Sequence, residues 1–266
     1  RMTDKTVLME KDARGVATVT LNRPEVFNGY NEALLTSLRD IFGELDSDPS
    51  IRAVLLRGAG KHFSAGADVN WFKELATAKP SVRLAASRLS TAAMRALDQC
   101  SKPTIALVQN ACFGGGAGYA AACDIVIASE DARFAITEVR LGITPAPILN
   151  QVIKALGGRQ ARRYAVTAET FDVNRAQDIG FVHEICPVGS LDDAAEPTVD
   201  AILRNGPIAV SKTKEMIGVY SGTNLSDETA DELAGISAAG RDTEEGIEGF
   251  SAFLEKRTPA WYPGDK

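Results

Sequence analysis

The chain has 266 residues and a mass of 28.3 kDa, with 45% apolar residues, 24% charged residues and a formal net charge of −6. That length holds one large domain or one domain with an appendage, and the composition is that of a globular chain, not a disordered one. The acidic balance argues against nucleic acid as the main partner, because phosphate contacts need basic patches. No apolar run approaches the roughly 20 residues that span a bilayer, and the N-terminus lacks the apolar core of a signal peptide. A cytoplasmic protein off the membrane is therefore expected. Cys100, Cys112, Cys123 and Cys186 form no CxxC pair, and only His62 and His183 stand by to join them. Buried reduced thiols are expected, and no metal site.

Along the chain, alternation in Val16-Ala17-Thr18-Val19-Thr20-Leu21 predicts a strand closed by Asn22-Arg23-Pro24. Asn31 then caps an amphipathic helix with Leu34, Leu35, Leu38, Ile41, Phe42 and Leu45 on one face, stopped by Asp48-Pro49. A strand is predicted over 53–57, a long helix over 84–97, and strands over 104–108 and 125–128. Alternating strands and helices of these lengths point to parallel pairing and an α/β core. Beyond about Gln151 the pattern becomes helix upon helix, over 159–166, 174–179, 191–204, 207–219, 227–240 and 244–254. Only the strand-like run Phe181-Val182-His183-Glu184-Ile185 interrupts it.

Two glycine-bearing turns follow two of these strands. The first is Phe63-Ser64-Ala65-Gly66-Ala67-Asp68 and the second Phe113-Gly114-Gly115-Gly116-Ala117-Gly118. Gly66 lets the backbone bend closely around a ligand, and Ala65 and Ala67 keep side chains out of the way. Asp68 reads as the cap of a following helix. A helix starting near Gly115 directs free N–H groups and a positive dipole end outward. Two N–H groups, one from each turn, can converge on one oxygen, and donors placed where negative charge develops form an oxyanion hole. Glu138, downstream in Thr137-Glu138-Val139-Arg140-Leu141-Gly142, is the candidate acid–base group, its pKa raised by partial desolvation. His62 has no hydroxyl or thiol beside it in sequence to form a nucleophile pair.

The order of the two turns, the glutamate and the segment Phe253-Leu254-Glu255-Lys256-Arg257 resembles the crotonase superfamily, the enoyl-CoA hydratase/isomerase group, over nearly the whole chain from Thr20-Leu21-Asn22-Arg23-Pro24 onward. The resemblance implies a spiral core of repeated ββα turns over residues 3–200. A helical region over 201–266 would build trimer contacts and a lid on the site. It implies Ala67 and Gly115 as the oxyanion donors, Glu138 as the catalytic carboxylate, and an acyl-CoA substrate with coenzyme A as part of that substrate and no separate cofactor. Gly66 would lie along the ligand, the Ala65 carbonyl would accept from the adenine amine, and Val26, Phe253 and Lys256 would line coenzyme A, Lys256 from the same subunit or across a subunit boundary. The implied assembly is a homotrimer or a dimer of trimers.

The chain departs from the pattern at Gly118, where typical hydratases of the superfamily carry a second glutamate, and at Glu25, where many members have lysine. The run Cys112 to Gly118 followed by Glu138-Val139-Arg140-Leu141-Gly142-Ile143-Thr144-Pro145-Ala146 is similar to bacterial hydratases of 3-methylglutaconyl-CoA in leucine catabolism. It is similar also to those of isohexenylglutaconyl-CoA in acyclic terpene catabolism. The continuation Pro147-Ile148-Leu149-Asn150, with alanines at 117, 120, 121 and 122, is expected to leave room for a branched acyl group, and Gly118 is expected to lie against the substrate. Arg140 and Lys73 are the cations at hand for a distal carboxylate. One carboxylate suffices for syn hydration, and equally for moving a proton between carbons, so an isomerase or a non-catalytic acyl-CoA binder are the alternatives.

Overall fold

The computed structural model describes residues 5–221 and 226–264; positions 3 and 4 of the expected core, and 222–225, 265 and 266 of the expected helical region, lie outside them. Strand β1 (Val7–Lys11) turns into β2 (Val16–Leu21) around Asp12, whose carboxylate accepts from the N–H groups of Arg14 and Val16, both at 2.9 Å. A 3-10 turn at Pro24–Val26 leads to α1 (Glu32–Ser47). The Asn31 side chain caps α1 by accepting from Leu34 N at 3.0 Å, and the predicted leucines and Phe42 are buried.

Strand β3 (Ala53–Gly58) is followed by α2 (Val69–Thr77) and α3 (Pro80–Asp98). Next come β4 (Thr104–Val108), β5 (Ala111–Phe113), α4 (Gly115–Ala122), β6 (Ile125–Ser129) and β7 (Arg133–Ala135). Two 3-10 turns, Glu138–Leu141 and Ala146–Ile148, precede α5 (Leu149–Thr167), β8 (Phe171–Asp172), α6 (Val173–Asp178) and β9 (Glu184–Cys186). The chain ends in α7 (Leu191–Leu203), α8 (Pro207–Tyr220), α9 (Asp227–Gly240) and α10 (Glu244–Glu255).

A six-stranded sheet runs β1-β2-β3-β4-β6-β9, antiparallel only between β1 and β2, and a small sheet runs β5-β7-β8. The spiral is visible in the order of pairing. Strand β4 lies in the large sheet, β5 in the small one, and α4 returns; β6, β7 and α5 repeat the path. Strand β3 starts the same course, because Ser64 bridges Cys112 of β5 in parallel. All five residues of β4 are buried, as expected for a central parallel strand covered on both faces. Ile105 and Leu107 meet α7 on one side, and Ala106 and Val108 join the cluster of α1, α3 and α4 on the other.

The predicted boundary between residues 200 and 201 falls inside α7. Val199 and Leu203 are both buried in the same cluster as Ile105, so the core runs through α7 and the helical region begins at Pro207. Helix α5 is longer than its predicted 159–166 because the chain stays coiled on both sides of Gly157, whose φ of +69° kinks it. The run at 181–185 is a strand only over Glu184–Cys186. Among the described residues no helix is long and apolar enough to cross a membrane, and no cluster of three metal-ligating side chains occurs. All four cysteines are free and buried.

Candidate active site

Register brings the two turns together. Ser64 pairs with Cys112, and Cys112 pairs with Phe134 of β7, all in parallel. Three residues beyond each lie Ala67, Gly115 and Thr137, with Glu138 next. Neighbouring strands run about 4.8 Å apart, a spacing at which two N–H donors can share an oxygen about 2.9 Å from each. Among the described residues neither the Ala67 N–H nor the Gly115 N–H has an acceptor within the chain. All of this lies at the carboxyl ends of the parallel strands, where open α/β sheets bind their ligands.

Close approach explains the glycines. Gly66 has φ +101°, and a Cβ there would lie 3.2 Å from the Phe113 carbonyl oxygen. Gly114 has φ +51°, and its Cβ would lie 3.0 Å from Thr137 Oγ1 and 3.2 Å from Glu138 Oε1. A Cβ at Gly115 would sit 2.3 Å from Tyr30 Cε1, and one at Gly116 2.5 Å from the Ser64 carbonyl oxygen. Each glycine of the triplet thus admits a different neighbour to the amino end of α4.

Glu138 is half-buried, and burial pushes its carboxyl above the ordinary glutamate value, against smaller opposing effects from its own N–H and that of Thr137. Its Oε2 is buried with no hydrogen-bond partner among the described residues. A carboxylate with one unpaired oxygen beside two unpaired N–H donors can exchange a proton with a substrate whose carbonyl oxygen the donors hold.

Tyr30 went unnoticed in the sequence. Its N–H donates to the Gly66 carbonyl and its own carbonyl accepts from Asp68 N, both at 2.9 Å, so it clasps the backbone on either side of Ala67. Its ring lies against Gly115 and stands edge-on to Trp71 and Tyr119, with centroids 5.9 and 6.2 Å away. The available signal was an aromatic residue between Gly29 and the helix cap Asn31.

Asp68 is structural. It caps α2 by accepting from Asn70 N at 2.8 Å and pairs with Arg23 at 2.6 Å, while Arg23 also donates to the Gly29 carbonyl. Burial opposes its ionisation, but the Arg23 guanidinium and the Asn70 N–H outweigh burial and hold the carboxyl below its ordinary value. Its stabilising contribution is therefore present above about pH 4 and lost as pH falls through the lowered value. Asp68→Ala is expected to cost about 3 kcal/mol by stranding Arg23 and uncapping α2, read from the urea midpoint. Asp68→Asn should flatten the acid limb of stability against pH.

Two expectations require correction, and a third is left to a contact between subunits. Gly118 faces protein and not substrate, since a Cβ there would lie 2.3 Å from Ile148 Cγ2 and 2.9 Å from Met94 Cε. The alanines do not face an acyl pocket as a group: Ala117, Ala120 and Ala122 are buried in the main core, and Ala121 packs against it. Phe253 and Lys256 are exposed, Phe253 by 76%, and the chain does not bring them to its own turns. Helices α8 and α10 pack together through Glu245, which accepts from Ile208 N and Ala209 N, and Gly249 abuts Trp261. Trp261 is tied by its carbonyl to Arg52, just before β3, so these helices flank the amino ends of strands whose carboxyl ends bear the turns. A six-residue strand separates the two ends by about 17–20 Å.

Val26 is half-buried in its 3-10 turn, next to Phe27, whose carbonyl accepts from Ala65 N at 3.0 Å. The Ala65 carbonyl has no donor among the described residues. Arg140 donates to the Ala168 carbonyl, and Lys73 is exposed on α2 without an ion-pair partner among the described residues. His62 packs edge-on to Phe27. A cavity of about 840 Å³ between the loop at 99–103 and α8 lies at the amino ends of the strands and includes none of these residues.

The enoyl-CoA hydratase/isomerase family model matches residues 11–264. A short-chain-enoyl-CoA hydratase of Clostridium acetobutylicum is 36% identical over 94% of this chain and 95% of its own length. A mevalonyl-coenzyme A hydratase of Beauveria bassiana is 32% identical over 92% and 91%. The crystal structure of an enoyl-CoA hydratase from Shewanella pealeana superposes with a TM-score of 0.93 at 36% identity, covering 97% of each chain. Agreement of this extent, in sequence and in the course of the backbone, makes the chain a member of the enoyl-CoA hydratase/isomerase family of the crotonase superfamily.

Proposed function

We propose that the protein hydrates the α,β double bond of a β-branched enoyl-CoA thioester with one carboxylate, Glu138, and that glutaconyl esters bearing an isohexenyl or methyl branch are its substrates. The reading is carried by the position of Glu138: one buried unpaired oxygen beside the free N–H groups of Ala67 and Gly115, with no second carboxylate at 118. The thioester oxygen sits between the two donors, which hold it more tightly as it becomes enolate-like, and that difference lowers the barrier. Glu138 takes a proton from the attacking water and returns it to the α-carbon on the same face. Coenzyme A enters as part of the substrate.

The similarity to a mevalonyl-coenzyme A hydratase supports the branched acyl group, since a mevalonyl chain carries its methyl at the β-carbon. Lys73, exposed two residues past the aromatic Trp71 and without an ion-pair partner among the described residues, is the cation suited to a distal carboxylate. A panel of straight, methyl-branched and isohexenyl-branched 2-enoyl-CoA esters tests the reading by loss of conjugated thioester absorbance. Fastest loss with the branched glutaconyl esters is expected. Conversion of 3-enoyl to 2-enoyl esters without hydration would replace the hydratase with an isomerase.

Val219, Phe250, Phe253 and Leu254 are exposed by 60–76% on α8 and α10, apolar surface that a monomer leaves in water. The proposed assembly is a homotrimer or a dimer of trimers in which these helices pair between copies and bring Phe253 and Lys256 to a neighbour's ligand. Light scattering at micromolar concentration should give three or six times 28.3 kDa, and a monomer would contradict it.

A further inference from the structure

We propose that the Tyr30 hydroxyl is a catalytic group of this site, holding the attacking water from the side opposite Glu138. The proposal rests on the hydration reading above. Its geometry follows from two adjacent glycines. At Gly114 a Cβ would touch the Glu138 carboxyl, 3.2 Å from Oε1; at Gly115 it would meet the Tyr30 ring, 3.1 Å from Cζ, the carbon that carries the hydroxyl. The phenol and the carboxyl therefore flank the amino end of α4, one on each side of a single peptide link. Among the described residues neither the hydroxyl of half-buried Tyr30 nor the buried Glu138 Oε2 has a hydrogen-bond partner. Two polar groups that stand on either side of one peptide link without bonding each other are an arrangement a bridging water satisfies.

The backbone makes the placement firm. Tyr30 bonds the turn on both sides of Ala67, while its ring packs on Gly115, Trp71 and Tyr119. One residue thus links both donor turns. Burial, with the Glu138 carboxylate as a lesser cause, pushes the phenol up to about 12, so it stays protonated at neutral pH and takes no proton in the reaction. Water oxygen forms the bond to the β-carbon while one of its protons passes to Glu138, and the π pair moves onto the thioester oxygen. Glu138 then returns that proton to the α-carbon as the carbonyl re-forms. The second hydrogen of the water stays on the new hydroxyl group and points to the Tyr30 oxygen throughout.

Tyr30→Phe keeps the ring and deletes only the hydroxyl. Hydration kcat should fall by about 10-fold or more with KM changed less than about threefold, because orientation of the water is lost and thioester binding is not. Exchange of the α-hydrogens of a saturated acyl-CoA in deuterium oxide, followed by NMR, needs Glu138 and the two N–H donors but no added water. That exchange should stay within about twofold of the wild-type rate. Undiminished hydration by Tyr30→Phe would overturn the proposal, as would equal loss of hydration and exchange, which marks a structural role. A wild-type chain that exchanges α-hydrogens but hydrates none of the ester panel would overturn the hydratase reading and this proposal with it.

Discussion

Glu138→Gln is expected to lower the turnover of enoyl-CoA hydration by about 10²-fold or more while KM stays near its wild-type value. The change keeps the shape of the side chain beside Gly114 and removes only its capacity to carry a proton. Because burial raises the Glu138 carboxyl above 4.5, kcat/KM of the wild-type protein should fall as pH drops through that raised value, and the variant should lose this limb. Stability moves the other way. A carboxyl with a raised folded-state pKa contributes its stability below its ordinary value, and that contribution is lost as pH rises through the folded-state value. At pH 8 the ionised carboxylate is a net burden on the fold, and the glutamine variant should melt at a higher temperature than the wild type. Lost turnover in a more stable protein separates chemistry from unfolding. Near wild-type hydration by the variant would sink the single-carboxylate mechanism.

Gly115→Pro is expected to abolish measurable hydration. Proline is tolerated at the first position of a helix, so α4 itself need not break. The substitution instead removes an N–H whose loss in comparable sites costs about 3 kcal/mol, a hundredfold or more in rate. It also places ring atoms where a Cβ would already lie 2.3 Å from the Tyr30 ring, displacing the residue that clasps Ala67. Both donors are thus disturbed by one change. Steady-state rates, with circular dichroism to verify the fold, check the expectation; retained activity in a folded protein would mean that the donors lie elsewhere.

Legibility of the fold followed the length of each signal. The strand at Thr104–Val108 and the helix at Glu32–Ser47 announce themselves because burial imposes a pattern on five or more residues. Strands β5 and β7, three residues each, are too short to show alternation, yet their pairing with each other and the bridge from β5 to Ser64 align the site. Helix α2 has no fully buried residue, and its start is legible chiefly in its cap, Asp68. The division at 200/201 failed because α7 reads like the helices after it, and only its packing against Ile105 assigns it to the core.

By itself the sequence determined the α/β class, the two small-residue turns, the glutamate that follows them and the absence of a second carboxylate at 118. These are properties of backbone freedom and side-chain chemistry written within a few residues. Tertiary structure alone decided that Ile148 and Met94 fill the space beside Gly118, that Phe253 and Lys256 stand at the far end of the sheet from their own turns, and that Tyr30 clasps Ala67 and packs on Gly115. Such proximities depend on which strands pair and in what register. That choice is made by the burial of the whole sheet, and no local stretch of chain records it.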